Sequence, residues 1–347
     1  MKILWVRLSS MGDVVHTLPA VSELINLGFQ VDVLTEEIYQ DILNQYQGIN
    51  NIFCTNIRNQ KKSPWKLLKH ILQVRDKLKA EKYDAIIDAQ GLFKSAIICF
   101  KCSEKVIGGD KYSVRERGVS FFYSHKVNIN LSANVLNRYR ELAINSVKEL
   151  GVQIKNNISE KPIIFNFSKK FNNSSYQKKI ILLHGISKFR RNKQMPIKIW
   201  SELAKLIIAE GYQVYTIWDN QDEKIFAEEL AKVGVNVLSP KNISEIILDF
   251  TDNNQYSAAV SLDSGLGHLV NALGVPNIML FAPTAARRFN TCYTENQKYL
   301  SVEYDCAPCG LRSCKLLSIE EIDKKTPPPC WNSISAEKIF AKLKTIC

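Results

Sequence analysis

Two short glycine-bearing runs hold the residues best suited to chemistry. The first is Ser9-Ser10-Met11-Gly12-Asp13-Val14-Val15-His16. A carboxylate in such a run can serve as a general base if a hydroxyl comes within hydrogen-bond reach. Gly12 lets the backbone approach a ligand closely. The second run is Asp263-Ser264-Gly265-Leu266-Gly267-His268. Its glycines also allow close approach, and the N–H groups of a following helix would favour an anion such as phosphate. The spacing matches neither a Walker nor a dinucleotide fingerprint. Lys188, Arg190, Arg191 and Lys193 follow His184-Gly185 and add positive charge suited to a pyrophosphate. Glu223, just after a strand-like run, is a candidate to accept hydrogen bonds from ribose hydroxyls, with a plain surface carboxylate as the alternative. Each feature alone has a plainer alternative. Asp13 could cap a helix, the glycine run could be a tight turn, the basic loop could be solvated, and His16 and His268 could be structural.

The elements that would position these residues alternate in type. Lys2 to Arg7 is a short apolar run that reads as a buried strand, and Leu18, Val21, Leu24 and Ile25 share one helix face. Asp13 therefore lies in a strand-to-helix loop, where open α/β sheets bind ligands. Pro19 predicts a late helix start or a kink. Residues 29–35 read as a second strand. Asp84 to Asp88 is another, running into Ala89-Gln90-Gly91-Leu92-Phe93-Lys94-Ser95, which repeats the strand–loop–helix device. A helix from about 134 to 150 stops at Gly151. Residues 166–178, rich in Asn, Ser and Lys, form a linker between domains at 1–165 and 179–347. In the second half Lys179–Leu183, Val214–Trp218, Val235–Leu238, Ala258–Leu262 and Asn277–Phe281 read as strands. Trp200, Leu203, Ala204, Ile207 and Ile208 mark an amphipathic helix between them. Alternation through both halves predicts two doubly wound α/β domains.

The chain has 347 residues, long enough for two cores. Its formal net charge of +12 favours anionic partners. Arg58, Lys61, Lys62, Lys66, Lys69, Arg75, Lys77, Lys79 and Lys82 crowd one segment around Trp65. No apolar run reaches membrane-spanning length and no signal-peptide pattern opens the chain, so a cytoplasmic protein is expected. Nucleic acid is not expected as a partner, because no helix-turn-helix, RNA-recognition or zinc-finger signature occurs. Cys306, Cys309, Cys314 and Cys330 form C-x2-C-x4-C-x15-C, a candidate structural zinc or iron site. Four thiols without a metal are the alternative.

Four motifs in order resemble those of the bacterial lipopolysaccharide heptosyltransferases, glycosyltransferase family 9. They are Ser9 to Val14 with His16-Thr17-Leu18-Pro19, Asp88 to Ser95, the Lys193 to Trp200 segment, and Asp263 to His268. The resemblance spans nearly the whole chain and is nearest to the enzymes adding the first inner-core heptose. It implies a GT-B fold: two facing Rossmann-like domains with an interdomain cleft. It implies inverting transfer of L-glycero-D-manno-heptose from ADP-heptose to Kdo of Kdo-lipid A, at the inner face of the inner membrane. No cofactor is implied for catalysis. Asp13 would be the base. Ser187, Lys193, Glu223, Asp263, Ser264, Gly265 and His268 would bind the donor; Ser10, Arg58, Lys61, Lys62 and Arg115 would bind the acceptor. Departures at Gln194-Met195 and at Asp219 leave the acceptor open, with heptosyltransferase II or a protein heptosyltransferase as alternatives.

Overall fold

β1 (Lys2–Val6) is the spine of the first sheet, and its last four residues are fully buried. A parallel strand covered on both faces needs a continuous apolar run, which Ile-Leu-Trp-Val supplies. β2 (Gln30–Glu36) and β4 (Ala85–Asp88) pair with it on either side, all parallel. β3 (Ile49–Thr55) lies beyond β2; β5 (Val106–Gly109) and β6 (His125–Val127) lie beyond β4. The order is β3-β2-β1-β4-β5-β6. The second sheet repeats the plan with β7 (Lys179–Leu183), β8 (Gln213–Thr216), β9 (Asn236–Val237), β10 (Ala258–Leu262), β11 (Asn277–Phe281) and β12 (Gln297–Ser301). Its order is β12-β11-β10-β7-β8-β9. In each sheet the direction of winding reverses between two neighbours, β1 and β4 or β7 and β10. Loops leaving those strand ends diverge and leave a crevice where ligands bind.

The structure is a computed structural model describing residues 1–60, 63–154, 162–171, 178–187, 190–252, 255–324 and 326–347. The chain divides into two compact units, Met1–Ser168 and Lys169–Cys347. In the first, helices Met11–Asn26 and Val135–Glu149 pack together on one face of the sheet. Arg140 Nη2 and Nε reach Glu23 Oε1 at 2.7 and 2.9 Å across that pair. In the second, Trp200, Leu203 and Ile207 of helix Ile197–Ala209 share a core with Trp331, Ile339 and Leu343 near the chain end. Among the described residues no helix is long and apolar enough to cross a membrane.

Some expectations change. The first helix neither starts late nor breaks at Pro19; it runs from Met11 to Asn26 with Pro19 inside. The sequence reading passes over β3, β5, β6 and β12, which are short or polar. β5 ends in Gly108-Gly109, which reads as loop. A Cβ on Gly108 would lie 2.3 Å from the Tyr123 ring, so packing demands glycine in that strand. Phe167 makes a single antiparallel bridge to Tyr46. Ser168 N–H donates to Gln45 O at 2.8 Å, so 166–168 belongs to the first unit. Asn172, Asn173, Ser174 and Ser175 lie outside the described residues.

Candidate active site

Asp13 occupies the first turn of the helix that leaves the β1 end of the first switch point. Ser10, at the helix N-cap, donates to Asp13 Oδ2 from its N–H at 3.3 Å and from Oγ at 3.2 Å. Two guanidinium groups take the rest of the carboxylate. Arg7 Nη2 lies 2.8 Å from Oδ2, and Arg115 Nη2 donates to Oδ1 at 3.2 Å. Arg7 is fully buried at the end of β1 and donates from Nη1 to Ala89 O at 2.5 Å. Arg115 is half exposed. Burial alone would raise the Asp13 pKa, but Arg7, then Arg115 and His16, outweigh it and hold the carboxyl well below the usual range. Asp13 is thus ionised, and its side chain keeps 18% exposure.

The loop after β4 braces this turn from the other side of the switch point. Gln90 Oε1 accepts from Leu8 N–H at 3.0 Å and Ser9 N–H at 3.2 Å, and Lys94 Nζ donates to Ser9 Oγ at 2.9 Å. Asp88 is buried and anchors that loop, accepting from Gln90 N–H, Ser95 Oγ and Tyr123 Oη, each at 2.8 Å. Burial pushes the Asp88 pKa up, against those hydrogen bonds. Gly91 adopts φ +64°, a backbone shape that favours glycine. Arg58 is exposed on the short helix Ile57–Gln60, its N–H 3.4 Å from Glu36 Oε2. Lys61 and Lys62 lie outside the described residues.

At the second switch point Lys193 reaches from the loop after β7 to the turn after β10. Its Nζ donates to Asp263 O at 2.8 Å and Asp263 Oδ2 at 2.5 Å. His268 Nε2 lies 3.0 Å from Asp263 Oδ1, and its Nδ1 lies 3.0 Å from Thr291 Oγ1. Thr284 Oγ1 donates to the same Asp263 carboxylate. Burial would raise the Asp263 pKa; Lys193 first and His268 next overcome it and hold it well below the carboxylate range. Asp263 and His268 are buried, so they hold Lys193 and the turn. Ser264 caps helix Gly265–Ala272, accepting from Gly267 N–H at 3.3 Å. Gly265, the first helical residue, is half-buried. A Cβ on Gly267 would lie 2.6 Å from Leu262 O, so the helix can follow the strand this closely only with glycine.

Glu223 sits on the same sheet edge, after β8. Its carboxylate lies against Gly185, where an added Cβ would meet Oε1 at 3.2 Å, and accepts from Asp219 N–H at 3.0 Å. Burial raises its pKa. Ser187 is exposed, its carbonyl accepting from Arg190 N–H at 2.8 Å. The expected basic cluster separates. Arg191 faces Asp222 at 3.5 Å, Arg190 donates to the Gly310 and Leu311 carbonyls, and Lys188 lies outside the described residues. Sequence reasoning missed Arg7 and Gln90. A cation ending an otherwise apolar central strand was the available signal for Arg7.

Cys306, Cys309, Cys314 and Cys330 do converge, lining one small pocket with Asn192, Pro283 and Pro329. The expected thiolate metal site is nevertheless not formed. Among the described residues no group of three or more His, Cys, Asp or Glu is arranged to hold a metal ion. Cys306 is exposed, Cys309 and Cys314 are half-buried and Cys330 is buried. Burial, then the neighbouring thiols, push Cys330 up to about 11. The same loop also packs back on the second switch point: Leu311 O accepts from Asn192 Nδ2 at 2.6 Å, beside Lys193.

Two doubly wound domains with polar turns at their switch points are the plan of the GT-B glycosyltransferases, and solved heptosyltransferase structures match it over the whole chain. Residues 71–319 match the family model described as glycosyltransferase family 9 (heptosyltransferase). Lipopolysaccharide heptosyltransferase 1 of Pseudomonas aeruginosa is 28% identical over 369 residues, covering 100% of this chain and 98% of its own. The enzyme of that name from Escherichia coli K12 is 32% identical over 293 residues, covering 82% and 88%. E. coli heptosyltransferase WaaC, solved with ADP-2-deoxy-2-fluoro heptose, superposes with a TM-score of 0.74 at 25% identity over 100% of both chains. The chain belongs to glycosyltransferase family 9.

Proposed function

We propose that this chain transfers L-glycero-D-manno-heptose from ADP-heptose to Kdo of Kdo-lipid A with inversion, as a lipopolysaccharide heptosyltransferase I. The observation that carries the reading is Asp13: an ionised, partly exposed carboxylate at a switch point, within a chain whose full-length relative bears that name. The first unit acts on the acceptor. Asp13 accepts the proton of the attacking hydroxyl, and Ser10, Arg58, Lys61, Lys62 and Arg115 bind the acceptor's anionic groups. The second unit holds the donor. Lys193 and the N–H groups of Ser264 and Gly265 face the pyrophosphate, whose charge grows as ADP departs. Asp263 and His268 position them. Glu223 takes the ribose, and Ser187 lies beside the nucleotide. In this reading the base, the lysine and the helix end supply the chemistry without a cofactor, and the Cys306–Cys330 loop steadies Lys193. The acceptor is held at the cytoplasmic face of the inner membrane by charge.

Mass spectrometry of the product from ADP-heptose and Kdo-lipid A tests the proposal. One added heptose on Kdo is expected. No transfer to Kdo, with transfer to an already heptosylated core, would reassign the chain to the second heptose.

A further inference from the structure

One face of the first sheet is covered by helix Pro64–Ala80, helix Phe93–Cys99 and the turn Val119–Phe122. Each is apolar toward the core. Leu67, Ile71, Val74 and Leu78 face inward on the first helix, and Ala96, Ile98 and Cys99 on the second. A helix that serves only as cover should be polar on its other side. These are not. Trp65, Leu68 and Leu72 recur at i, i+3 and i+7 on the outer side of the first helix, with Trp65 81% exposed. Phe93 and Ile97 are exposed on the second, and Phe121 on the turn is 83% exposed.

The three pieces form one surface. Arg75 Nη1 donates to Ile97 O, and to Ile98 O at 3.4 Å, joining the two helices. Phe93 and Phe100 meet Phe122 edge-on, with centroids 5.9 and 5.5 Å apart, joining the second helix to the turn. The surroundings are cationic. The first helix carries Lys66, Lys69, Arg75, Lys77 and Lys79 against one carboxylate, Asp76. Lys94 follows Phe93, and Lys101 and Arg117 lie just beyond the second helix and before the turn, against one carboxylate, Glu116, which accepts from Phe93 N–H at 2.7 Å.

We propose that this face is a membrane-docking surface whose partner is the interface of an anionic phospholipid bilayer. Aromatic and branched apolar side chains raised above a cationic surround suit that partner: the apolar groups enter the headgroup boundary while lysine and arginine meet lipid phosphates. Lysine stems can lie along the apolar layer and lift their charges to the phosphates. The surface also abuts the acceptor-side loops. Phe93 opens the helix that follows the Gln90 loop, and neighbouring Lys94 reaches Ser9. A chain seated this way would present Asp13 near a lipid-anchored sugar. That last step rests on the proposed acceptor; the docking surface itself does not.

The test uses the full chain and vesicles without any acceptor. Vesicles of phosphatidylethanolamine with phosphatidylglycerol are compared with pure phosphatidylcholine by sedimentation and tryptophan emission. Trp5, Trp200 and Trp331 are fully buried and Trp218 is half-buried in the second unit, not part of this face, so a blue shift on binding reports chiefly on Trp65. Binding to the anionic vesicles with a blue shift is expected. Trp65→Phe should abolish most of the shift while keeping the binding. Leu68→Ser/Leu72→Ser/Phe121→Ser should lower partitioning at least tenfold with an unchanged circular dichroism spectrum, and single Phe121→Ser should lower it less. Absent binding overturns the proposal. So does equal binding by the triple variant, or binding with no emission shift, which would mean docking by charge alone. Product analysis with a water-soluble Kdo acceptor separates the two readings. If the triple variant loses vesicle binding yet turns that acceptor over, docking stands with the activity. If neither protein transfers heptose while docking behaves as expected, only the assigned reaction fails.

Discussion

Removing the exposed cation beside Asp13 should make the carboxylate a stronger base. Arg115 Nη2 lies 3.2 Å from Asp13 Oδ1, and Arg7 Nη2 lies 2.8 Å from Oδ2. Together they overcome the upward pull of burial and hold the carboxyl well below its ordinary range. A carboxylate held so firmly accepts a proton poorly. Arg115 is 51% exposed, so its pull must be discounted for solvent screening. At that separation Coulomb's law gives about 1.3 kcal/mol in bulk water and about 2.6 kcal/mol at an effective dielectric of about 40. Either figure corresponds to roughly one to two pKa units. Arg115→Ala should therefore raise the Asp13 pKa by about one to two units. Arg7 would still keep it ionised at neutral pH. The assay is kcat at pH 7.5 with donor and acceptor both saturating, with the acceptor KM measured alongside. Because a carboxylate of higher pKa is the stronger base, kcat should hold or rise. The acceptor KM should rise, because Arg115 also meets acceptor anions in the proposed role. A kcat loss as deep as that of Asp13→Asn would refute the reasoning.

Asp13→Asn removes the proton acceptor and should lower kcat by about 10²- to 10⁴-fold, with ADP affinity by calorimetry unchanged; wild-type turnover would remove the base role. Lys193→Ala should raise the donor KM by tenfold or more and lower the melting temperature, because it leaves the buried Asp263 carboxylate without its cation. Lys193→Arg should recover stability better than activity, and unchanged initial rates at limiting donor would take Lys193 out of the site. His184 is buried between Thr216 and the Glu223 carbonyl, and burial lowers its pKa to about 4 from 6.5. The unfolded chain then binds a proton below about pH 6.5 that the fold refuses until about pH 4, so stability is lost as pH falls through that window. Urea unfolding at pH 7 and at pH 4.5 should differ by about 2 kcal/mol from this group, and His184→Gln should flatten that part of the dependence.

Much of the site was legible because its chemistry is local. Asp13 and Ser10 lie in one turn, and so do Asp263, Ser264, Gly265 and His268; spacing alone places each set between a strand and a helix. The central strands were legible because burial on both faces forces long apolar runs. The edge strands were not, since β3 holds Asn50 and Asn51 and β5 ends in glycines. Partners distant in sequence were also hidden. The Arg115 contact to Asp13 spans 102 positions, and the Lys193 contact to Asp263 spans 70. The charge cluster after Gly185 looked like one phosphate-binding device, yet Arg190 and Arg191 turn to the Leu311 carbonyl and Asp222. Net charge in a loop does not say which cation faces which anion.

Strand order explains why those distant contacts exist. β1 and β4 are neighbours, so the loop after β4 can brace the loop after β1 through Gln90 and Lys94. β7 and β10 are neighbours, so Lys193 can reach Asp263. Each switch point consequently holds a carboxylate in contact with a cation, Asp13 with buried Arg7 and with Arg115 in the first, buried Asp263 with Lys193 in the second. The outer cation, Arg115 or Lys193, is more exposed than the carboxylate it meets in both cases. An anionic ligand entering either crevice would compete with the resident carboxylate for that outer cation. In the first unit such competition would leave Asp13 a better base once an anionic acceptor had bound. In the second, Asp263 would keep Lys193 oriented while pyrophosphate shared its charge. The same pairing thus suits opposite tasks, releasing a carboxylate in one domain and retaining a cation in the other.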